Sequence, residues 1–173
     1  AAKANKRRDP VCVTFAIQPF IGETLAEAEA KRDAMLARIP LEAALTRISG
    51  TFGIDLDTVD IDLPLQEITT QASQGLVSAM SSMFGDMNIT LREAVRLSGL
   101  AGMIPQILGT PEDVADQLEE IWRQTGCHGF NLTPAIVPGG YEDFVDQVVP
   151  ILQQRGIFRT EYEASTLRGN MID

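Results

Sequence analysis

Residues Val11-Cys12-Val13-Thr14-Phe15-Ala16-Ile17 form an unbroken run of apolar and β-branched side chains directly after Asp9-Pro10. A strand with one wet face alternates apolar and polar residues. A run without that alternation suits a strand covered on both faces, as in a parallel sheet. Parallel neighbours need long crossover connections, usually helical, so the question becomes whether helices follow. The run is expected to end at Gln18-Pro19-Phe20-Ile21-Gly22. A helix then starts at Thr24, whose hydroxyl and Glu27 three residues on make a capping box. Leu25, Ala28, Met35 and Ile39 mark its buried stripe, and Pro40 stops it.

Residues 41–100 are less regular. Leu41 to Ser49 reads as a short helix. Ile54 to Leu63 alternates apolar residues with Asp55, Asp57, Asp60 and Asp62 and reads as an exposed extended stretch. It lacks the loop glycine and closing glutamate of an EF-hand, so no calcium site is expected. Gln71 to Met83 reads as a helix, and Thr90 with Glu93 caps another that ends near Gly99. The last third is the most regular. Ile104 to Leu108 is expected as a strand, and Thr110 caps a helix that opens with Pro111 and two acids. Val114, Leu118, Ile121 and Trp122 form its buried face, and Gly126 takes the left-handed position at its end. Gly129 to Pro134 reads as a strand leaving into a loop. A final helix carries Tyr141, Phe144, Val145, Val148 and Leu152, and Pro150 is expected to kink or break it.

Strand, helix, insertion, strand, helix, strand, helix is the grammar of an α/β protein with a parallel sheet. An eight-fold barrel needs about 250 residues. This chain has 173, so three such units make only part of one. The reading is one partial barrel domain over 1–173, with 41–103 as an insertion on the substrate side. The opening Ala-Ala-Lys-Ala-Asn-Lys reads as the start of a fragment, although a removed Met or a tag scar would look the same.

Composition removes several classes of function. The net charge is -10, and a phosphate-binding surface needs clustered Lys and Arg, so nucleic acid is not an expected partner. The one basic run, Lys3 to Arg8, reads as a solvated helix end. Cys12 and Cys127 stand far apart in sequence, and His128 beside Cys127 does not complete a zinc site, so no metal is expected. Both cysteines read as small hydrophobes in a reducing compartment. No run of about 18 apolar residues is present, and a soluble cytoplasmic protein is expected.

Specificity comes from longer strings. Gly109-Thr110-Pro111-Glu112-Asp113-Val114-Ala115-Asp116-Gln117-Leu118 is followed by Gly129-Phe130-Asn131-Leu132-Thr133-Pro134 and Pro138-Gly139-Gly140. Phe144-Val145-Asp146, Arg155-Gly156, Phe158-Arg159, Tyr162-Glu163 and Thr166-Leu167-Arg168 come next, and Ile21 to Ala28 lies upstream. This succession resembles the bacterial-luciferase-like flavin monooxygenases. The resemblance is to the nitrilotriacetate, EDTA, dibenzothiophene-sulfone and long-chain-alkane branch. It spans nearly the whole chain, is weakest over about 55–105, and places the chain in the C-terminal portion of a longer protein.

The resemblance implies the last three strands of a TIM (β/α)8 barrel, preceded by an absent N-terminal barrel segment. It implies FMN, reduced by a separate NAD(P)H-dependent flavin reductase, together with O2 and a small organic substrate of C–N, C–S or alkane type. A homo-oligomer is expected, with no membrane partner. Sites in such barrels lie at the C-terminal strand ends. Gln18, Phe20 and Asn131 are accordingly the candidate cofactor contacts, and Phe20, Met83, Thr133 and Pro134 the candidate substrate contacts. Each has a plainer role open to it. Phe20 can cover the core, Asn131 and Thr133 can satisfy the turn before Pro134, and Met80, Met83 and Phe84 can be core.

No catalytic residue is assigned. His128, the sole histidine, precedes the last strand and is expected at the far end from the chemistry. No His or Arg stands shortly before Gly109, where relatives often carry one. Two other readings remain: a non-catalytic partial barrel acting as an interaction or self-association module, and a deazaflavin-dependent oxidoreductase of the same superfamily. This chain alone is expected to be inactive.

Overall fold

The structure, a computed structural model, describes residues 11–52, 55, 59–64, 67, 89–98 and 104–172. The basic run Lys3 to Arg8, the expected helix over Gln71 to Met83, and Met80, Met83 and Phe84 lie outside the described residues. Contacts divide the chain into two compact units, Ala1–Glu29 with Gln106–Asp173, and Ala30–Pro105.

The first unit is a three-stranded parallel sheet with helices on one face. Its strands are β1 (Thr14–Ile21), β2 (Gln106–Gly109) and β3 (Gly129–Leu132). Helix α1 (Leu25–Leu36) leaves β1 and runs on into the second unit. Helix α4 (Pro111–Thr125) follows β2. After β3 come α5 (Gly140–Asp143), a π-helical turn (Phe144–Val148) and α6 (Val149–Gln154), with α7 (Leu167–Ile172) near the end.

The strand order is β2-β1-β3. The expected parallel α/β sheet is present, with the first strand in sequence lying in the middle between the later two. The central strand divides its edges between its neighbours. Thr14–Ile17 pairs with Gly129–Leu132, and Gln18–Ile21 pairs with Gln106–Gly109.

β1 also starts and ends later than the apolar run suggested. Gln18, Pro19 and Phe20 lie within it, not past its end. Proline is normally excluded from a central strand because it lacks an amide to donate. Here the carbonyls of Val13 and Ile17 both point to β3. Alternation turns the Pro19 nitrogen to that same side. Past Leu132 the pairing runs one bond further, Thr133 N to Ile17 O, and Thr133 O, the acceptor a Pro19 amide would have met, takes Gln18 Nε2 instead.

One core holds the unit together. Ile17, Ile21 and Ile107 project from the sheet onto Val114, Ala115 and Leu118 of α4, Phe144 and Val148 of the π turn, and Leu152 of α6. Each such side chain contributes about 1.5–3 kcal/mol of burial. Pro150 neither breaks nor simply kinks the last helix. The preceding turn widens so that Val149 N donates to Phe144 O, and 144, 148 and 152 all stay buried. Leu25, Trp122, Tyr141 and Val145, expected on buried stripes, are substantially exposed.

The second unit has its own core. Helix α2 (Leu41–Phe52) packs Ala44, Leu45 and Ile48 against Leu91, Ala94 and Val95 of α3 (Leu91–Ser98) and Ile89 before it. The expected box at α3 is present, with Glu93 N donating to Thr90 Oγ1 at 3.2 Å and Thr90 N to Glu93 Oε2 at 2.9 Å. Arg92 clamps Asp62 at 2.6 and 2.9 Å, which holds that carboxyl below its ordinary range.

Candidate functional site

The sheet has two faces of different chemistry. Ile17, Ile21, Ile107, Phe130 and Leu132 take the helix side. Alternation along each strand then sends Thr14, Ala16, Gln18, Phe20, Gln106, Leu108 and Asn131 to the other side. This second face carries amides and hydroxyls and no charge. Gln18 is its centre, and it is the one buried polar side chain among the described residues. It stands where β1 changes partner from β3 to β2. Its Nε2 donates to Thr133 O at 3.3 Å, and its Oε1 accepts from Gln106 Nε2 at 3.5 Å. The amide thus bridges two strands that do not pair with each other. Thr133 adds a hydroxyl bond to Ile17 O at 2.8 Å, and Asn131 Nδ2 donates to Thr14 Oγ1 at 3.2 Å.

The C-terminal strand ends lead tightly into helices. Gly22 N donates to Gly109 O at 3.1 Å, so the ends of β1 and β2 lie side by side. A Cβ on Gly22 would sit 2.7 Å from Ala28 N, and only glycine lets α1 start this close to the strand. Both helix starts already have a carboxylate beside them. At α4, Asp113 N donates to Thr110 Oγ1, while Thr110 N donates back to the Asp113 carboxylate at 2.9 Å. Those bonds from Thr110, backbone first, hold the Asp113 carboxyl below its ordinary range. At α1, Glu27 N donates to Thr24 Oγ1 at 3.2 Å and the Glu27 carboxylate accepts from Glu23 N at 2.8 Å. A helix N-terminus is a natural phosphate seat because its first amides lack partners. At α4 the Asp113 carboxylate already takes the N-cap amide, and at α1 the Glu27 carboxylate takes the amide of Glu23, one residue before the cap, which puts an acid beside each helix start.

Gln18, Asn131 and Thr133 therefore come together on one face with Phe20, which is almost fully buried. Pro134 is half-buried beside Gly140, where an added Cβ would meet its own at 2.8 Å. Met83 lies outside the described residues. Thr14 and Gln106 were not singled out from sequence, although counting alternate residues from Gln18 and Leu108 finds both. His128 lies before β3, at the opposite end from Thr133. Its Nδ1 accepts from Val13 N at 3.1 Å, so the neutral ring carries its proton on Nε2. Among the described residues no cluster of His, Cys, Asp and Glu is arranged to hold a metal ion, and no helix is long and apolar enough to cross a membrane. A groove of about 590 Å³ is lined by Leu118, Trp122, Phe130, Val145 and Phe158 with Arg159, and it also reaches Thr14 and Asn131.

Similarity to known proteins covers nearly all of the chain. It is 35% identical over 173 residues to a dibenzothiophene-sulfone monooxygenase of Rhodococcus erythropolis, matching 97% of this chain and 38% of that one. It is 38% identical over 174 residues to nitrilotriacetate monooxygenase component A of Aminobacter aminovorans, with 98% and 38% covered. Among solved structures, DmoA of Hyphomicrobium sulfonivorans matches with a TM-score of 0.87 at 32% identity, covering 99% of this chain and 36% of that one. A riboflavin lyase solved with modified FMN and riboflavin matches at 0.76 and 32% identity, with 98% and 37% covered. The chain thus spans about 38% of the length of these curated relatives. No protein-family model matches it.

Proposed function

Because this chain is related along nearly its whole length to the luciferase-like flavin monooxygenases, we propose that it is the C-terminal portion of such an enzyme. The whole protein would oxidise a small organic substrate of C–N, C–S or alkane type with O2 and reduced FMN. A separate NAD(P)H-dependent reductase would supply that flavin. The observation that carries this reading is the match over at least 97% of the chain to enzymes that oxidise a sulfone and an aminopolycarboxylate. The parallel sheet is then part of a (β/α)8 barrel completed by an N-terminal segment, and the assembly is a homo-oligomer.

In that setting the uncharged sheet face looks into the barrel, with Phe20 and Thr133 toward the end where barrel sites lie. When bound, reduced FMN supplies the activation of O2 and the transfer of one oxygen atom. The residues here suit its ring rather than its phosphate. Gln18, Gln106 and Asn131 offer neutral donors and acceptors, and Phe20 an apolar wall. The two helix starts have Glu27 and Asp113 beside them. Gln18 fixes the Thr133 carbonyl and the Gln106 amide, and so sets the loop before Pro134. Thr133, Pro134 and Met83 would meet the substrate, with Met83 in the 41–103 insertion. These residues bind, orient and exclude water, and none is assigned a proton transfer.

The test is oxygen uptake by the complete polypeptide with FMN, NADH and a flavin reductase. The panel would hold aromatic sulfones, dialkyl sulfides, aminopolycarboxylates and long-chain alkanes. We expect substrate-dependent uptake and an oxygenated product from at least one class. Full-length protein that binds reduced flavin yet yields no oxygenated product across the panel would overturn the reading.

A further inference from the structure

The loop that leaves β3 puts an apolar surface at the C-terminal end of the sheet. Pro134-Ala135-Ile136-Val137-Pro138 is an unbroken apolar run, yet Ile136 is 45% and Val137 71% exposed, and Tyr141 just beyond is 48% exposed. The loop is fixed to the candidate site. Thr133 N and Oγ1 both donate to Ile17 O, and Gln18 Nε2 donates to Thr133 O. Gly140 N donates to Ile136 O at 3.1 Å, and Tyr141 OH donates to Leu132 O at 3.4 Å. Ile136 and Val137 are thus held out in water directly after Thr133 and Pro134. Charge at this end of the sheet has one sign. Carboxylates take backbone amides beside all three helix starts: Glu27 from Glu23 N, Asp113 from Thr110 N and Glu142 from Gly139 N. No Lys or Arg falls in 9–30, 97–122 or 124–154, the stretches that hold the three strands, the loops leaving them and the helix starts beyond. The stretch 48–91, which contains Met83, also lacks both.

We propose that this loop sets the substrate class: Ile136, Val137 and Tyr141 take the apolar part of a neutral sulfide, sulfone or alkane, and an aminopolycarboxylate is refused. The inference rests on the monooxygenase reading above and narrows it. An uncharged apolar body gains by covering Ile136 and Val137. A polyanion would be stripped of water beside Glu27, Asp113 and Glu142, with no cation from these stretches to pair with it. The 38% identity to nitrilotriacetate monooxygenase component A therefore does not bring that enzyme's substrate with it.

The complete polypeptide with FMN is tested against dibenzothiophene sulfone, dimethyl sulfide, octane and nitrilotriacetate. Binding is read as a ligand-dependent rise in thermal midpoint, and turnover is followed separately with NADH and a flavin reductase. We expect at least one neutral compound to raise the midpoint and nitrilotriacetate not to. Val137→Asp, at an exposed position that the fold tolerates, should raise KM for the neutral substrate at least about tenfold with kcat nearly kept. Val137→Ala should lie between it and wild type. The inference is overturned if nitrilotriacetate binds better than every neutral compound, or if no neutral compound binds. It is equally overturned if Val137→Asp binds and turns over like wild type, which would mean that another segment of the protein covers the loop. Binding of a neutral compound without oxygenated product leaves the role of the loop standing and counts against the monooxygenase reading. Oxygenation of nitrilotriacetate in preference to the others does the reverse.

Discussion

Gly109 has a φ of +148°, and a Cβ there would lie 2.5 Å from the Asp113 Cβ. Gly126 also sits at positive φ, +62°, yet an added Cβ would meet nothing within 4 Å. The two glycines of α4 therefore separate backbone strain from collision. Gly126→Ala should cost about 1 kcal/mol, the left-handed penalty alone, and Gly109→Ala about 2–4 kcal/mol, since strain and overpacking add. Urea unfolding of both variants checks the order, and equal losses would mean that Asp113 moves aside. Between them, Thr110→Ala should cost about 1 kcal/mol as a lost N-cap. Asp113 adds a pH signature. Its folded pKa lies below the ordinary carboxylate value. Its contribution is therefore fully present above about pH 4, its unfolded range, and disappears as pH falls through the lower folded value. Urea midpoints between pH 2 and 6 should fall less steeply toward acid in Asp113→Asn than in wild type.

At the scale of elements, the sequence was most legible where local chemistry decides. The capping boxes at Thr90 and Thr110 and the left-handed Gly126 depend on a few neighbouring residues and stand where expected, while at Thr24 only the Glu27 N to Thr24 Oγ1 half forms, because the Glu27 carboxylate takes Glu23 N instead. What sequence could not show depends on partners. The extent of β1 is set by where β2 and β3 pair with it, so Pro19, locally a strand breaker, lies inside the strand. Helical periodicity places Trp122 one turn beyond Leu118 on the same stripe. Leu118 is 2% exposed and Trp122 43%, because the core beneath the sheet does not extend under the whole stripe. Leu118→Ala should accordingly cost about 2–5 kcal/mol, and Trp122→Ala distinctly less despite its larger side chain. Thermal unfolding followed by circular dichroism would compare them. A larger loss at Trp122 would mean that its contacts in the groove, not the core beneath Ile17 and Ile107, dominate.

On the scale of the whole molecule, the candidate site was only half legible. Gln18, Phe20, Asn131 and Thr133 were chosen as residues near strand ends, and they do share a surface, but the reason is the side-chain alternation along β1 and β3. Thr14 and Gln106 belong to that surface by the same rule and were missed. Gln18, read as a cofactor contact, has each end of its amide bonded within the protein, which makes it first a brace between β2 and β3. Charge then decides how a flavin would be treated. The chain carries a net charge of -10, the polar face is neutral, and Glu27 and Asp113 stand beside the helix starts that would otherwise attract a phosphate. A phosphate is therefore expected to add nothing to flavin binding by this chain. The isolated chain should bind riboflavin and FMN with equal weakness, each with a Kd well above micromolar, and adding salt should not weaken FMN relative to riboflavin. Quenching of flavin fluorescence measures both. Micromolar binding of FMN, or a clear preference for it over riboflavin, would show that this part of the protein does hold the phosphate.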